Sequence, residues 1–366
     1  MLRGDHPTSV RVRAICLLAL LGALSAALVA LGNPGNMGLC GACFLRDIGG
    51  ALRLHGGPAI LRPEVPGIVL GALLLSLATR RHVGRSGSYA MARFFLCVAM
   101  GIGAMVFLGC PFRVLQRLGG GDLNALLALP GLLLGVFLAT RSEGRGYTLG
   151  KTSEVPLAVG LLGPALFLVV LSMFVFGTVL AGPEHGAATG PAHAPWQLAL
   201  GGGLGAGAVL SATGFCAISA CRQVLARRGP MRFAALAFVL AYAATSAATG
   251  NLRVGFDGQP IAHGHWLWNN LALVLVGLCG TFAGGCPVRQ LVMTGEGNGD
   301  AMVGVVGLVL GGSLAHGLKL AATPATADDL GGPSAGGKIA VVVLLVAVTL
   351  YGIAMQPRAG RDPASR

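Results

Sequence analysis

Apolar residues run along this chain in long unbroken blocks, and polar residues are confined to short breaks between them. Continuous runs cover 14–31, 63–79, 91–108, 123–140, 155–181, 232–249, 266–284, 301–316 and 338–355. An α-helix needs roughly 20 apolar residues to cross a bilayer, so each run predicts a spanning helix. Strands of a membrane barrel alternate apolar with polar residues, which these blocks do not, so a barrel is excluded. Gly- and Pro-rich stretches interrupt the pattern at particular places, GNPGNMG at 32–38 and SATG at 211–214. Such breaks are tolerated in a span where the freed backbone groups meet protein or line a cavity. They predict four short half-helices, at 39–52, 111–119, 215–227 and 287–295. The expected fold class is an all-α polytopic membrane protein of about 9–10 spanning helices plus these four half-helices.

The breaks carry a repeated motif. Gly109, Cys110, Pro111 and Arg113 return in the second part of the chain as Gly285, Cys286, Pro287 and Arg289. Gly38, Cys40 and Arg46 return at the same offset as Gly214, Cys216 and Arg222. Several anchors at one offset mark an internal duplication. Each second motif is followed by a glycine-rich stretch ending at Asp122 or Asp300, slightly further apart than the other anchors, as if the later loop had gained two residues. Both aspartates read as N-caps of the next span. The organisation is then 1–152 as the first half, 153–182 as a linking transmembrane helix, 183–320 as the second half and 321–366 as a terminal helix and tail. Five crossings separate equivalent positions, and five is odd, so the second half enters the membrane inverted. Inverted repeats are a transporter arrangement, with the ligand site near mid-membrane where the halves meet.

Charge refines the topology. The chain is 54% hydrophobic and 11% charged, with a net charge of +13. The excess is spread over alternate loops: Arg3, Arg11 and Arg13; Arg80, Arg81, Arg85 and Arg93; Arg141, Arg145 and Lys151; Arg227, Arg228 and Arg232; Arg358, Arg361 and Arg366. The intervening loops are poor in basic residues: none at 182–195, Arg253 alone at 250–265 and Lys319 alone at 318–337. Basic loops stay cytoplasmic, which gives ten spans with both termini inside. No basic face remains for a nucleic acid. The first run has the basic start and apolar core of a signal peptide, but it leads into GNPGNMGLC without a small-residue cleavage site and reads as a retained span.

Candidate chemistry lies at the breaks. Proline favours the first helical position, so Cys110 and Cys286 fall at or near the N-caps of half-helices. A helix start carries partial positive charge and unpaired N–H groups, which suits an anion. Thiols there can pass weak S–H hydrogen bonds to soft chalcogen atoms. Cys40, Cys110, Cys216 and Cys286 are therefore the candidate pathway residues. Arg46, Arg113, Arg222 and Arg289, one to two turns further on, either draw anions toward the mouths or merely snorkel from helix ends. Cys16, Cys97 and Cys279 read as small core residues. Cys40 and Cys43 form a CxxC that also fits a redox pair, although Ser219 stands at the position equivalent to Cys43, and Cys221 has no first-half counterpart. His316, near the end of a span, fits a proton shuttle or a headgroup-facing residue. His185, His193, His263 and His265 show no ligand spacing, and no GxxxxGK[ST] motif is present. Neither a cofactor, a metal site nor an enzymatic activity is expected.

The stretches GNMGLCGACFLRD (35–47), FLGCPFRVLQRLGGGDLNAL (107–126) and GGCPVRQLVMTGEGNGDA (284–301) resemble the YeeE/YedE sulfur-transport family, and within it the selenium-metabolism branch. The resemblance covers nearly the whole chain. It implies spanning helices and half-helices about a pseudo-two-fold axis, in a bacterial inner membrane. It also implies uptake of thiosulfate or a related compound past cysteines that match Cys40, Cys110, Cys216 and Cys286. A small selenium- or sulfur-containing substrate and a cytoplasmic enzyme that handles it would be the partners. Two departures touch the mouths: SATGF lacks a basic residue before Cys216, and Gln223 follows Arg222 where Asp47 follows Arg46. The expected function is a permease for a selenium species, with thiosulfate as the alternative substrate. A membrane thiol oxidoreductase using Cys40 and Cys43 is the rival from another class, and a non-transporting scaffold is a third.

Overall fold

A computed structural model describes residues 8–177 and 192–357. The ends of the chain and 178–191 lie outside the described residues, and with them Arg3, His185, Arg358, Arg361 and Arg366. The first series of helices is α1 (Thr8–Ala30), α2 (Ala42–Ala51), α3 (Glu64–Ala78), α4 (Ala90–Phe107), α5 (Pro111–Gly119), α6 (Leu123–Gly144) and α7 (Leu157–Val175). The second is α8 (Trp196–Thr213), α9 (Ala217–Leu225), α10 (Met231–Ala248), α11 (Trp266–Phe282), α12 (Pro287–Gly295), α13 (Gly299–Gly317) and α14 (Ala335–Ala354). Each series holds five long helices and two short ones in the same order. Nine described helical segments are long and apolar enough to cross a membrane, and α3 is apolar but shorter, at 15 residues. The protein is an all-α, multi-pass membrane protein. Two short antiparallel strand pairs, Arg85–Ser86 with Ser153–Glu154 and Ala322–Thr323 with Gly332–Pro333, tie loops together.

Helix α8 occupies a stretch that the apolar runs omit. Glycines at 201, 202, 203, 205 and 207 dilute its hydropathy. Those glycines serve packing instead. In lipid, helices associate through small residues that let backbones approach. A methyl group added at Gly207 would run into the Ile68 carbonyl of α3, and one at Gly203 into the Glu64 carbonyl. Gly131 and Gly135 of α6 meet the Asn270 and Val274 carbonyls of α11 in the same way, and Gly307 and Gly311 of α13 meet those of Phe94 and Val98 on α4. In each pair the contacts advance together along both helices, so the partners run parallel. The pairing α4–α13 is the counterpart of α11–α6, and α3–α8 is the counterpart of α10–α1. Gly280 of α11 meets Met100 of α4 and Gly103 of α4 meets the Ala272 carbonyl, so α4 runs antiparallel to α11 and hence to α6. Helix α13, parallel to α4, therefore runs opposite to its own equivalent, α6. The repeat is thus inverted. Gly207→Leu is expected to lower stability by about 1–3 kcal/mol, the usual cost of overpacking, measured as thermal unfolding in detergent.

The breaks obey the repeat closely. Helix α4 ends at Leu108 in left-handed conformation (φ 61°), and α11 is followed by Gly284, at the equivalent position, with φ 79°. Glycine adopts this conformation freely and leucine does so at a cost. The turns before α6 and α13 place Gly121 (φ 89°) and Gly297 (φ 95°) at the common offset. Asp122 caps α6, its carboxylate accepting from Asn124 N at 2.9 Å. The second cap is Asn298, which accepts from Ala301 N at 2.9 Å. Asp300 is therefore not an N-cap, and the later loop gained no residues. Asp300 lies inside α13, where it accepts from Ser86 Oγ at 2.8 Å and Ser88 N at 2.9 Å. Cys16 is also corrected: it is exposed on α1, whereas Cys97 and Cys279 are buried.

Candidate functional site

Four short helices begin in the interior of the bundle, each with a cysteine at its start. Cys110, Cys216 and Cys286 are the N-caps of α5, α9 and α12, with Pro111 and Pro287 in the first turn. Cys40 stands one residue before the cap of α2, which is Gly41. Each sulfur faces the backbone N–H three residues on. Cys43 N lies 3.4 Å from Cys40 Sγ, while the N–H groups of Arg113, Ser219 and Arg289 face Cys110, Cys216 and Cys286. A sulfur in this position takes the place of the oxygen that normally caps a helix.

The thiols then meet in two pairs. Cys40 Sγ is 3.7 Å from Cys110 Sγ. Cys286 N points at Cys216 Sγ from 3.4 Å. Cys110 also faces the N–H groups of Gly41 and Ala42, so it sits between the starts of α5 and α2. The pairs adjoin: Gly41, beside Cys40, lies so close to Pro287 and Val288, beside Cys286, that no side chain fits between. Phe112 and Phe215, which neighbour Cys110 and Cys216, meet edge to face with ring centroids 6.5 Å apart. All four thiols are buried, none more than 4% exposed. The structure brings together every cysteine singled out for the pathway. Concentrating helix starts here aims partial positive charge and N–H donors at one buried spot.

The four arginines are placed differently. Arg113 is fully buried and spends its guanidinium on backbone carbonyls: Asn36 at 3.1 Å, Ile261 at 3.3 Å, Gly35 at 3.4 Å, Pro260 at 3.2 Å, and Leu108. An arginine has five N–H donors, so none remains for an anion, and the vestibule role read for Arg113 is corrected to a loop clamp. Arg46 pairs with Asp47 (Nε to Oδ1 2.6 Å), Arg222 with Glu143 (2.6 Å) and Arg289 with Glu296 (2.9 Å). Ser211 Oγ donates to Glu296 Oε1 at 2.9 Å. The charge of these three is already compensated. A cavity of about 340 Å³ opens over the carbonyls that Arg113 holds, lined by Asn33, Asn36, Tyr242, Ser246, Asn251 and Arg253.

Sequence reasoning missed a buried polar layer beneath this site. Gln116 accepts from Ser25 Oγ at 2.8 Å and from Leu39 N at 3.2 Å, and its amide donates to Leu39 O, which fixes the chain just before Cys40. Arg117 pairs with Asp122 (2.6 Å) and lies over the Phe107 ring, 4.3 Å from its centroid. Arg62 reaches Asp47 Oδ2 at 2.7 Å. A signal was present for the first two: Arg113, Gln116 and Arg117 recur at i, i+3 and i+4, which puts them on one face of α5. His263, in the loop after α10, is a neutral strut. Burial pushes its pKa down to about 4, and Nε2 donates to Val106 O at 2.9 Å.

No protein-family model and no curated protein matches the chain. Among the described residues, no cluster of three or more His, Cys, Asp or Glu could hold a metal ion.

Proposed function

We propose that this protein is a permease for a small chalcogen-containing anion, of the kind found in the YeeE/YedE sulfur-transport family. The first substrate is a selenium species and the second thiosulfate. Both termini face the cytoplasm of a bacterial inner membrane. The observation that carries this reading is the meeting of four buried thiols at four helix starts, in a protein of two inverted halves. Burying an anion is costly unless fixed donors replace its water. The N–H groups around Cys40, Cys110, Cys216 and Cys286 supply such donors, and the thiols add weak S–H donors that let a soft atom pass. Because the arginines are paired or saturated, the ligand is held by dipoles rather than by full charges. Weak holding of this kind favours passage over storage. The 340 Å³ cavity serves as the vestibule on the Cys40–Cys110 side. Bacterial cells lacking other uptake routes are expected to accumulate labelled selenium or sulfur substrate only when they carry this protein.

One observation keeps a redox reading alive: Cys40, Cys43 and Cys110 lie together, with Cys40 Sγ 3.7 Å from Cys110 Sγ. The two readings part at Cys43. Cys43→Ser is expected to leave labelled uptake within about twofold of wild type, whereas an enzyme exchanging through Cys40 and Cys43 would lose its activity. Loss of uptake in this variant, with the protein still folded, would favour the oxidoreductase.

A further inference from the structure

His316 at the end of α13 and His55 in the loop after α2 stand over the Cys40 half-helix, and the permease reading leaves them without a role. Their rings stack with centroids 5.2 Å apart, and both side chains are half-buried. Hydrogen bonding assigns the protonation of each nitrogen involved. Arg46 Nη1 lies 2.6 Å from His316 Nε2. Arginine only donates, so Nε2 of His316 accepts and carries no proton. His55 Nε2 lies 2.9 Å from Arg46 O, a carbonyl that only accepts, so this nitrogen carries the proton. His55 Nδ1 receives Gly57 N at 2.9 Å and is therefore bare. Both imidazoles are neutral here, each with one nitrogen committed as an acceptor.

We propose that His55 and His316 form a proton-binding site that controls Arg46. A proton taken up at His316 Nε2 removes the acceptor that ties Arg46 to α13 and sets imidazolium against guanidinium. A proton at His55 Nδ1 expels Gly57 N–H in the same manner. Arg46 is also the residue that braces α2 near its thiols, with Nε 3.4 Å from Cys43 O. The charged and titratable groups facing His316 are Arg46, His55 and Asp47. Asp47 is fully buried between Arg46 (2.6 Å) and Arg62 (2.7 Å), so it holds the released guanidinium nearby. Helix α4, packed along α13, presents only apolar residues at this end, Gly101–Phe107. Arg53 and Lys319, the remaining charges close in sequence, are exposed. Proton binding thus loosens α2 from α13 at the mouth above Cys40.

The test needs no transported substrate. Purified protein is exposed to a membrane-impermeant methanethiosulfonate reagent at pH 8 and pH 4, a window that reaches well below the ordinary histidine pKa of about 6.5. Labelling of Cys43 is followed by peptide mass spectrometry in wild type and in His316→Gln, which keeps an acceptor for Arg46 but does not titrate. The reagent's own pH dependence cancels in the ratio of the two rates. That ratio is expected near one at pH 8 and at least roughly tenfold in favour of wild type at pH 4, the shift expected from losing a hydrogen bond to a charged group. An unchanged ratio at the two pH values would overturn the proposal. His55→Gln is expected to shift the ratio in the same direction, which keeps the test decisive if His316→Gln folds poorly.

Discussion

Cys110→Ala should reduce labelled uptake by at least about tenfold while leaving the folded protein in the membrane. A tenfold loss corresponds to ~1.4 kcal/mol of stabilisation removed from the passing ligand. The effect should be large because Cys110 holds a place no other thiol shares. It faces the N–H groups of Gly41 and Ala42 as well as that of Arg113, and it touches Cys40 Sγ at 3.7 Å. Alanine removes the sulfur that accepts from the Cys40 thiol at this junction and leaves those N–H groups pointing at a gap. Cys286→Ala, at the equivalent position, should act in the same direction. Stability should fall by about 1–3 kcal/mol in either case, the cost of leaving buried N–H donors unpaired, which is too little to unfold the protein. Uptake by Cys110→Ala at the wild-type rate would remove that thiol from the path.

The largest expected effect on stability comes from Asp122→Asn. Arg117 is fully buried and its one carboxylate partner is Asp122 Oδ2, at 2.6 Å. The asparagine keeps a cap for α6 but strands a buried guanidinium. Breaking one partner out of a buried ion pair costs about 3–5 kcal/mol, whereas replacing both partners together is often neutral. The second half already contains the replacement: at the common offset of the repeat, Met293 stands for Arg117 and Asn298 for Asp122. The double variant Arg117→Met with Asp122→Asn should therefore recover most of the stability lost by the single one. Thermal unfolding in detergent, read by size-exclusion chromatography, measures both. A double variant no more stable than Asp122→Asn would mean that the loss arises elsewhere.

The long helices and the four half-helices were legible because lipid leaves few options. Every backbone group must be paired within its own segment, so apolar length and Gly/Pro breaks carry most of the information. α5 and α12 begin at Pro111 and Pro287 as read, since proline at the first helical position leaves little choice. α8 was obscured for the opposite reason: the glycines that let it approach α3 also lower its hydropathy. The four thiols were legible through the duplication, which separates repeated cysteines from Cys97 and Cys279. Their pairing was not, because it depends on how α2 turns back toward α5 and α9 toward α12. The arginines were misjudged where spacing alone was used. Nothing in the sequence shows that Gly35, Asn36, Pro260 and Ile261 would offer their carbonyls to Arg113, because two loops from opposite halves of the chain supply them. The Asp300 reading failed because the shared GxGD pattern outweighed the true register, which only the paired turns at Gly121 and Gly297 reveal.

The central claim is that the two cysteine pairs form one continuous route for a soft anion. Crystals of the protein grown with selenosulfate, its methionines unlabelled, allow the claim to be tested by anomalous diffraction at the selenium edge. The account expects a selenium peak among Cys40, Cys110, Cys216 and Cys286, within roughly 4 Å of at least one sulfur. A selenium peak only elsewhere in the molecule, or no peak at a saturating concentration, would contradict it.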